Sequence, residues 1–292
     1  MPSQKTDLAT TLRAAIWMTG AIASFTAMAI AGRAVSFALD TFEIMFYRSL
    51  IGILIVGSVA LSTGKWREIT RRSLGLHAAR NLAHFTGQNL WFFAITVIPL
   101  AQVFALEFTT PIWVILISPI FLAEPIRKVG LIAAAIGFAG ILIVARPSPE
   151  SLNIGVAAAA FSAVAFALTA VFTRRLTRTE TITCILFYLT TMQAVFGLAF
   201  AGWEGDLALP DPTTTPWLVL IGCAGLLAHF CLTNALRIAP ASIVMPIDFA
   251  RLPVIAIVGA LLYSEPLDVF VFLGAALIFA GNWFNITRSA RD

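Results

Sequence analysis

Residues 98–125 read IPLAQVFALEFTTPIWVILISPIFLAEP, and residues 239–266 repeat this pattern without a gap as APASIVMPIDFARLPVIAIVGALLYSEP. The offset is 141 positions, since 240 minus 99 and 265 minus 124 both give this value. Both stretches have proline second and end in Glu-Pro, and Glu107 of the first aligns with Asp248 of the second. Prolines and acids in register are uncommon in apolar sequence, so the chain contains an internal duplication.

The composition places this duplication in a membrane. Of 292 residues, 59% are hydrophobic and 12% are charged, whereas about 25% are charged in soluble domains. Apolar segments of about 20 residues follow one another, which is the length that a helix needs to cross a bilayer. The segments are apolar on every face, unlike the alternating strands of a membrane barrel. The sequence therefore predicts an all-α integral membrane protein.

Charged and proline-rich breaks divide the chain into ten predicted helices. In the first half these are residues 14–38, 41–61, 76–97, 99–122 and 129–145, and in the second half 153–173, 181–201, 216–236, 242–263 and 268–286. Five helices are an odd number, so the second repeat is expected to lie inverted in the membrane. We predict a five-helix repeat over residues 1–148 and an inverted five-helix repeat over residues 149–292.

Loop charges predict the orientation. Lysine and arginine in short loops stay cytoplasmic, and nearly all of them fall in links on one face of the predicted bundle. The longest link of the other face, residues 203–216, carries acids and no cation. Both termini are therefore predicted to be cytoplasmic. The net charge of +4 reflects topology, and no nucleic acid partner is expected.

The chain resembles a known family in three features. These are the ten predicted helices, the repeats ending in Glu124-Pro125 and Glu265-Pro266, and the second-helix string Phe46-Tyr47-Arg48-Ser49-Leu50. Together they resemble the EamA-type branch of the drug/metabolite transporter superfamily, over about residues 14–286. The resemblance implies a multi-pass small-solute transporter of a bacterial-type inner (plasma) membrane. Length and architecture are similar to YddG-type exporters of aromatic and other neutral amino acids, but no motif separates these from riboflavin, nucleobase or S-adenosylmethionine carriers.

Four ionisable side chains fall at membrane depth, where an unpaired charge is costly and normally faces a wet cavity or a partner. They are Glu107, Asp248, Arg48 and Arg251. One hypothesis makes the two acids substrate or proton sites. The other makes them structural ion pairs, Asp248 with Arg251 and either Glu107 or Glu43 with Arg48.

Prolines favour a cavity beside these charges. Because proline has no amide donor, Pro111 is expected to leave the carbonyl of Glu107 free. Pro246 and Pro253 act likewise in the second repeat. Broken helices at corresponding places predict a midplane binding site at the repeat interface. The alternative is that the kinks only shape the bundle.

A polar stripe follows the third predicted helix. His77, Asn81, His84 and Gln88 are spaced by four, three and four residues, which places them on one face. We expect this face to line a water-filled path, with Asn89 at its edge. In the second repeat the eighth predicted helix supplies His229, aligned with Gln88, and Asn234. Interhelical hydrogen bonding is the alternative role for these residues.

Aromatic residues complete the predicted substrate site. Trp17, Tyr47, Trp91 and Trp113 fall deep within predicted helices and are candidates for stacking on a substrate. Other tryptophans lie near helix ends, where anchoring at the membrane interface is the expected role.

These residues predict a carrier for an aromatic or neutral amino acid that works by alternating access, with the two halves rocking around a central cavity. The alternative is a proton-coupled exporter of cationic drugs or of metabolites such as nucleobases, riboflavin or S-adenosylmethionine. A membrane-embedded enzyme is a remote alternative, because the sequence has no H-E-x-x-H motif, no G-x-S-x-G elbow and no Gly-rich phosphate loop.

No cofactor or metal is expected. Cys184, Cys223 and Cys231 lie in apolar segments without C-x-x-C spacing, which predicts small packing residues. The expected partners are a small-molecule substrate and the lipid bilayer, with the chain a monomer or a weak dimer.

Overall fold

The computed structural model describes residues 8–124, 126, 128–146, 153–205, 207–264 and 269–289. Within these ranges the chain forms twelve α-helices. The first repeat contains α1 (Leu8–Val35), α2 (Thr41–Ser62), α3 (Leu74–Val97), α4 (Leu100–Glu107), α5 (Thr110–Leu122) and α6 (Lys128–Ala145). The second contains α7 (Ile154–Leu176), α8 (Ile182–Glu204), α9 (Thr215–Ile238), α10 (Ala241–Ile247), α11 (Arg251–Tyr263) and α12 (Val269–Ser289).

Two predicted helices are interrupted. The predicted helix 99–122 consists of α4 and α5, and the predicted helix 242–263 consists of α10 and α11 with the 3₁₀ turn Asp248–Ala250 between them. Pro111 stands in the first turn of α5, where the missing amide needs no partner. Each interrupted pair occupies the place of one membrane segment, so the ten-segment, two-repeat architecture predicted from the sequence is confirmed.

The first interruption corrects one detail of the prediction. The carbonyl of Glu107 is not free, because the Thr110 hydroxyl donates to it at 2.5 Å. This hydroxyl takes the place of the amide that Pro111 lacks. In the second repeat, the Pro246 side chain and the Glu265-Pro266 motif lie outside what the structure describes.

The helices have the dimensions of membrane spans. Among the described residues, six helical segments are long and apolar enough to cross a bilayer, and further apolar helices of 10–17 residues accompany them. The 24-residue helix α3 is long enough but is not one of the six, because its polar stripe lowers its hydropathy. The prediction of a multi-pass membrane protein is confirmed, and the orientation of the termini stays a prediction.

The two repeats interleave. The most extensive helix contacts are α1 with α9, α3 with α7, α2 with α8 and α6 with α12, and each pair joins one repeat to the other. By the 141-residue offset, α1 corresponds to α7 and α9 corresponds to α3. The α1–α9 and α7–α3 contacts are therefore equivalent, as two-fold related repeats require. Neither repeat is therefore a separate packed body, and the predicted rocking of two sequence halves does not match this packing.

Glycines bring α6 and α12 into backbone contact. A Cβ on Gly140 would lie 2.7 Å from the carbonyl oxygen of Gly274, and one on Gly281 would lie 3.0 Å from that of Ala133. Since 140 and 281 differ by 141, as do 133 and 274, the two contacts are copies of each other. The pseudo-two-fold axis therefore passes through this seam.

The Glu-Pro motifs follow a shared helix stop. Ala123 and Ser264, the equivalent residues before each motif, both take the left-handed conformation, with φ of 55° and 54°. This conformation ends a helix. Glu124 then forms ion pairs with Arg174 at 3.5 Å and Arg178 at 3.6 Å, so the motif also ties the first repeat to the second.

A tyrosine of each repeat bonds to a link of the other repeat. The Tyr47 hydroxyl donates to the carbonyl of Ala208 at 2.8 Å, and the Tyr188 hydroxyl donates to that of Thr70 at 3.0 Å. The tyrosines are 141 residues apart, so the two bonds close opposite ends of the bundle. We call the end with the α2–α3 and α7–α8 links the basic end, because Arg71, Arg174, Arg175 and Arg178 lie there.

The α6–α12 seam yields a stability prediction. Gly140→Ala forces a methyl group against the backbone of Gly274 and should destabilise the fold by about 1–3 kcal/mol. Gly57→Ala is the control, because a Cβ there meets nothing within 4 Å and alanine favours a helix over glycine. Thermal unfolding of both variants in the same detergent compares them. Equal melting temperatures would contradict the close backbone contact between α6 and α12.

Candidate functional site

An ion triad joins the two helix breaks. Arg251 Nη2 donates to Glu107 Oε1 at 2.5 Å and to Asp248 Oδ2 at 2.5 Å. Glu107 is the last residue of α4, Asp248 opens the 3₁₀ turn and Arg251 begins α11. The two broken helices therefore end close enough for Glu107 of the first repeat to bond to Arg251 of the second, while Asp248 and Arg251 are neighbours one turn apart. The predicted Asp248–Arg251 pair is present, and Glu107 pairs with Arg251 rather than with Arg48.

The triad is buried and enclosed by aromatic rings. Arg251 is 2% exposed, and its guanidinium carbon lies 4.8 Å from the ring centre of Phe104 and 5.0 Å from that of Phe25. Trp91 Nε1 donates to Glu107 Oε2 at 2.7 Å, which occupies the second oxygen of this carboxylate. The aromatic rings add cation–π attraction, and the exclusion of water strengthens the ion pairs of the guanidinium with the two carboxylates.

Two polar atoms of the triad remain unbonded. Asp248 Oδ1 and Arg251 Nε are buried and make no hydrogen bond within the described structure. An acceptor and a donor left unsatisfied in a buried site cost free energy. They are therefore suited to a ligand that offers one donor and one acceptor.

A small cavity adjoins the triad. Its lining includes seven of the predicted site residues, namely His84, Gln88, Trp91, Glu107, His229, Asp248 and Arg251. Phe25, Phe108 and Phe166 also line it. The centres of water molecules can occupy about 60 Å³ of it, whereas ligand pockets usually enclose about 300–1,000 Å³. The cavity is therefore smaller than a typical metabolite pocket.

Two histidines form the side of the cavity towards the basic end. The rings of His84 and His229 meet edge to face at 4.5 Å. Neither nitrogen of His84 has a hydrogen-bond partner in the described structure, and Nε2 of His229 has none. His229 Nδ1 lies 3.5 Å from Arg80 Nη2. The pair thus brings ring nitrogens without hydrogen-bond partners to the cavity.

Six predicted site residues are not in the cavity lining. Asn89 and Asn234 donate to the carbonyls of Phe85 and Phe230 in their own helices. The other four are Trp17, which packs on Phe230, Trp113, which is 38% exposed, Tyr47, which bonds to Ala208, and Arg48. The faces of the helices that carry these residues turn away from the cavity.

Arg48 occupies a second buried pocket. It is 6% exposed, and its Nη1 lies 3.7 Å from the sulfur of Met45 and 4.0 Å from that of Met28. The predicted partner Glu43 instead accepts from the amides of Asp40 and Ala208. The predicted pairing of Arg48 with Glu43 or Glu107 is wrong, because capping of α2 and the triad occupy both acids.

Sequence reasoning missed Arg80. This residue is 1% exposed and donates to Asn81 Oδ1 at 2.9 Å and Thr173 Oγ1 at 3.2 Å. It lies three residues after His77 and four before His84, so the helical spacing of the polar stripe already included it. Arg80 was not among the predicted site residues, although the stripe turns inward and includes it.

Comparisons with known proteins agree with this architecture. The profile of the EamA-like transporter family matches the chain twice, over residues 12–146 and 153–287. A crystal structure of a protein superposes with a TM-score of 0.77 over 98% of this chain and 99% of the other, at 17% identity. At that identity the likeness concerns the fold alone.

Curated relatives carry names of two substrates. A "Riboflavin transporter" of Brucella anthropi is 30% identical over 245 residues, which cover 82% of this chain and 86% of the relative. A "Riboflavin transporter" of Vibrio cholerae is 27% identical over 91% of this chain and 90% of its own. An "S-adenosylmethionine uptake transporter" of Rickettsia felis is 24% identical over 92% of this chain and 91% of its own.

The triad predicts an asymmetry between two buried arginines. Arg251→Met leaves two buried carboxylates without their partner and should destabilise the protein by about 3–5 kcal/mol. Arg48→Met is the control, because within the described structure Arg48 contacts methionine sulfurs and no carboxylate. We expect thermal unfolding to show a much larger loss for Arg251→Met. The neutral triple variant Glu107→Gln, Asp248→Asn, Arg251→Gln should recover part of it, and equal losses for the two single variants would contradict the triad.

Proposed function

Because the chain belongs to the EamA-like transporter family, we propose that it carries a planar heteroaromatic metabolite of the riboflavin type through the cavity beside the ion triad. The proposal rests on a small-solute transporter fold and refines the substrate. It departs from the amino acid exporter that the sequence first suggested, since the matching relatives named above carry riboflavin or S-adenosylmethionine in their names.

The aromatic lining is the observation that supports this substrate best. Phe25, Trp91, Phe108 and Phe166 line the same cavity. Flat rings stack favourably on a flat heteroaromatic ligand. Once the helices separate, these side chains are positioned to hold such a ring system at membrane depth.

The unbonded polar atoms supply the second element of recognition. His84, His229, Asp248 Oδ1 and Arg251 Nε offer donors and acceptors that the protein does not itself use. The edge of an isoalloxazine ring carries alternating donors and acceptors, and its ribityl chain carries hydroxyls. A neutral ligand of this kind can satisfy the buried groups without adding a net charge to the membrane interior.

S-adenosylmethionine is the second candidate. The triad holds two carboxylates against one guanidinium, and this local excess of acid favours a ligand with a cationic group. An aromatic or neutral amino acid, which carries both charges, is the third. Its carboxylate and ammonium groups would have to compete with bonds already present within the triad.

Alternating access is proposed to move bodies that each contain helices of both repeats. The triad connects α4 of the first repeat to α11 of the second, and the closest helix pairs also cross between repeats. The bonds of Tyr47 and Tyr188 close the two ends of the bundle. Opening one end while the other stays closed requires breaking one of these two bonds at a time.

A transport assay tests the substrate. Proteoliposomes should accumulate labelled riboflavin above empty liposomes, and Phe166→Ala should reduce uptake about tenfold through lost stacking. Trp113→Ala is the matched control, because this aromatic residue is 38% exposed and does not line the cavity. Uptake of S-adenosylmethionine or phenylalanine, with no uptake of riboflavin, would show that the proposed substrate is wrong. Equal effects of the two variants would show that this cavity is not the substrate site.

Proton coupling is tested at Asp248. Its Oδ1 has no hydrogen-bond partner in the described structure, whereas both oxygens of Glu107 are bonded. Arg251 bonds to both carboxylates, so we expect transport without proton exchange. Asp248→Asn should then leave the pH dependence of riboflavin uptake unchanged, whereas a flattened pH profile would identify this carboxyl as a proton carrier.

A further inference from the structure

Three side chains with metal-binding chemistry meet at the basic end, away from the ion triad. His77 lies in the first turn of α3, Glu180 in the α7–α8 link and Cys184 in the first turn of α8. One nitrogen, one carboxylate oxygen and one sulfur of these residues all lie within 4.8 Å of one another. His77 and Cys184 are fully buried and Glu180 is 8% exposed.

The spacing fits a tetrahedral cation. Cys184 Sγ and His77 Nε2 are 3.8 Å apart. Zinc bonds of about 2.3 Å to sulfur and about 2.0 Å to nitrogen, at a tetrahedral angle, separate the two ligand atoms by about 3.5 Å. A cation can therefore bridge these atoms after side-chain movements of a few tenths of an ångström.

The internal contacts of the cluster leave ligand atoms unused. Glu180 Oε2 accepts from the Thr70 hydroxyl at 2.8 Å, but Oε1 makes no hydrogen bond of ordinary geometry within the described structure. Ser73 and Cys184 lie near this carboxylate as well. A buried carboxylate oxygen without a hydrogen bond of ordinary geometry thus shares a cluster with a histidine and a thiol.

Neighbouring groups fix the orientation of the ligands. The Tyr188 ring packs on the His77 ring at 4.4 Å, and the Thr70 hydroxyl fixes the Glu180 carboxylate. Such outer contacts are typical of metal sites, where they orient the coordinating side chains. Thr70, Glu180 and Tyr188 also belong to the contacts that join the two repeats at this end.

We propose that His77, Glu180 and Cys184 bind one Zn²⁺ ion. Cysteine, histidine and carboxylate are the ligand types that zinc prefers, and three protein ligands leave a fourth position for water. On binding, the Cys184 thiol releases its proton to solvent, and the thiolate and the carboxylate together balance the charge of +2. The proposal departs from the sequence-based expectation that Cys184 only packs and that no metal binds.

One of the three proposed ligands borders a groove. Glu180 also lines a groove of about 840 Å³ between α2, α8 and α9. Glu68 lines the same groove, as do the cationic side chains of Lys65 and Arg237. A bound ion would cross-link the ends of α3 and α8, and it would stabilise the folded chain by mass action.

A zinc titration of the full chain in nanodiscs tests the site. Competition with a chromophoric chelator should give one Zn²⁺ per chain, and Zn²⁺ should raise the melting temperature. Cys184→Ser and His77→Gln should each weaken binding by about tenfold to a hundredfold or more. Cys223→Ser and Cys231→Ser are the matched controls and should bind as the parent does, since neither thiol is in the cluster.

Co²⁺ in place of Zn²⁺ provides a direct spectroscopic readout. Thiolate-to-cobalt charge-transfer absorption should appear in the parent and disappear in Cys184→Ser. Metal-free melting curves show which variants are folded, and Glu180→Gln, which alters a link residue, replaces any variant that is not. Absence of stoichiometric binding, or unchanged binding in folded Cys184→Ser, would overturn the proposal.

Discussion

The ion triad of Glu107, Arg251 and Asp248 is the interaction on which the rest of the structure depends. Charges buried in a membrane protein are tolerated when they pair, and Glu107 reaches the Asp248–Arg251 pair where two helices are broken at equivalent places. The triad joins the end of α4 to the start of α11. The cavity, its aromatic walls and its unbonded polar atoms all adjoin this junction.

The triad also explains why the repeats interleave. A pair formed within one repeat would leave each half able to pack alone, but Glu107 and Arg251 belong to different repeats. The glycine seam of α6 and α12 and the tyrosine bonds at the two ends extend the same cross-repeat pattern. Conformational change must therefore rearrange contacts between repeats, because few extensive contacts exist within them.

Much of this architecture was predictable, because the repeat can be read directly along the sequence. A gapless offset of 141 residues fixes which helices are copies, and it placed Glu107 and Asp248 together at the breaks. Sequence could not fix which side of each helix faces the cavity. Trp113 and Asn234 therefore lie outside it, and Arg80 was missed although it lies on the polar stripe. The partner of Arg48 was predicted wrongly because Glu43 is used by a helix cap and a link, which helix spacing does not show.

The most direct test is a cryo-EM structure of the chain in nanodiscs with saturating riboflavin. Our interpretation predicts ligand density between Trp91 and Phe166, with the polar edge of the ring towards Asp248 and Arg251 and with an enlarged cavity. Density elsewhere, such as in the groove between α2, α8 and α9, with an undisturbed triad and a closed cavity, would contradict it.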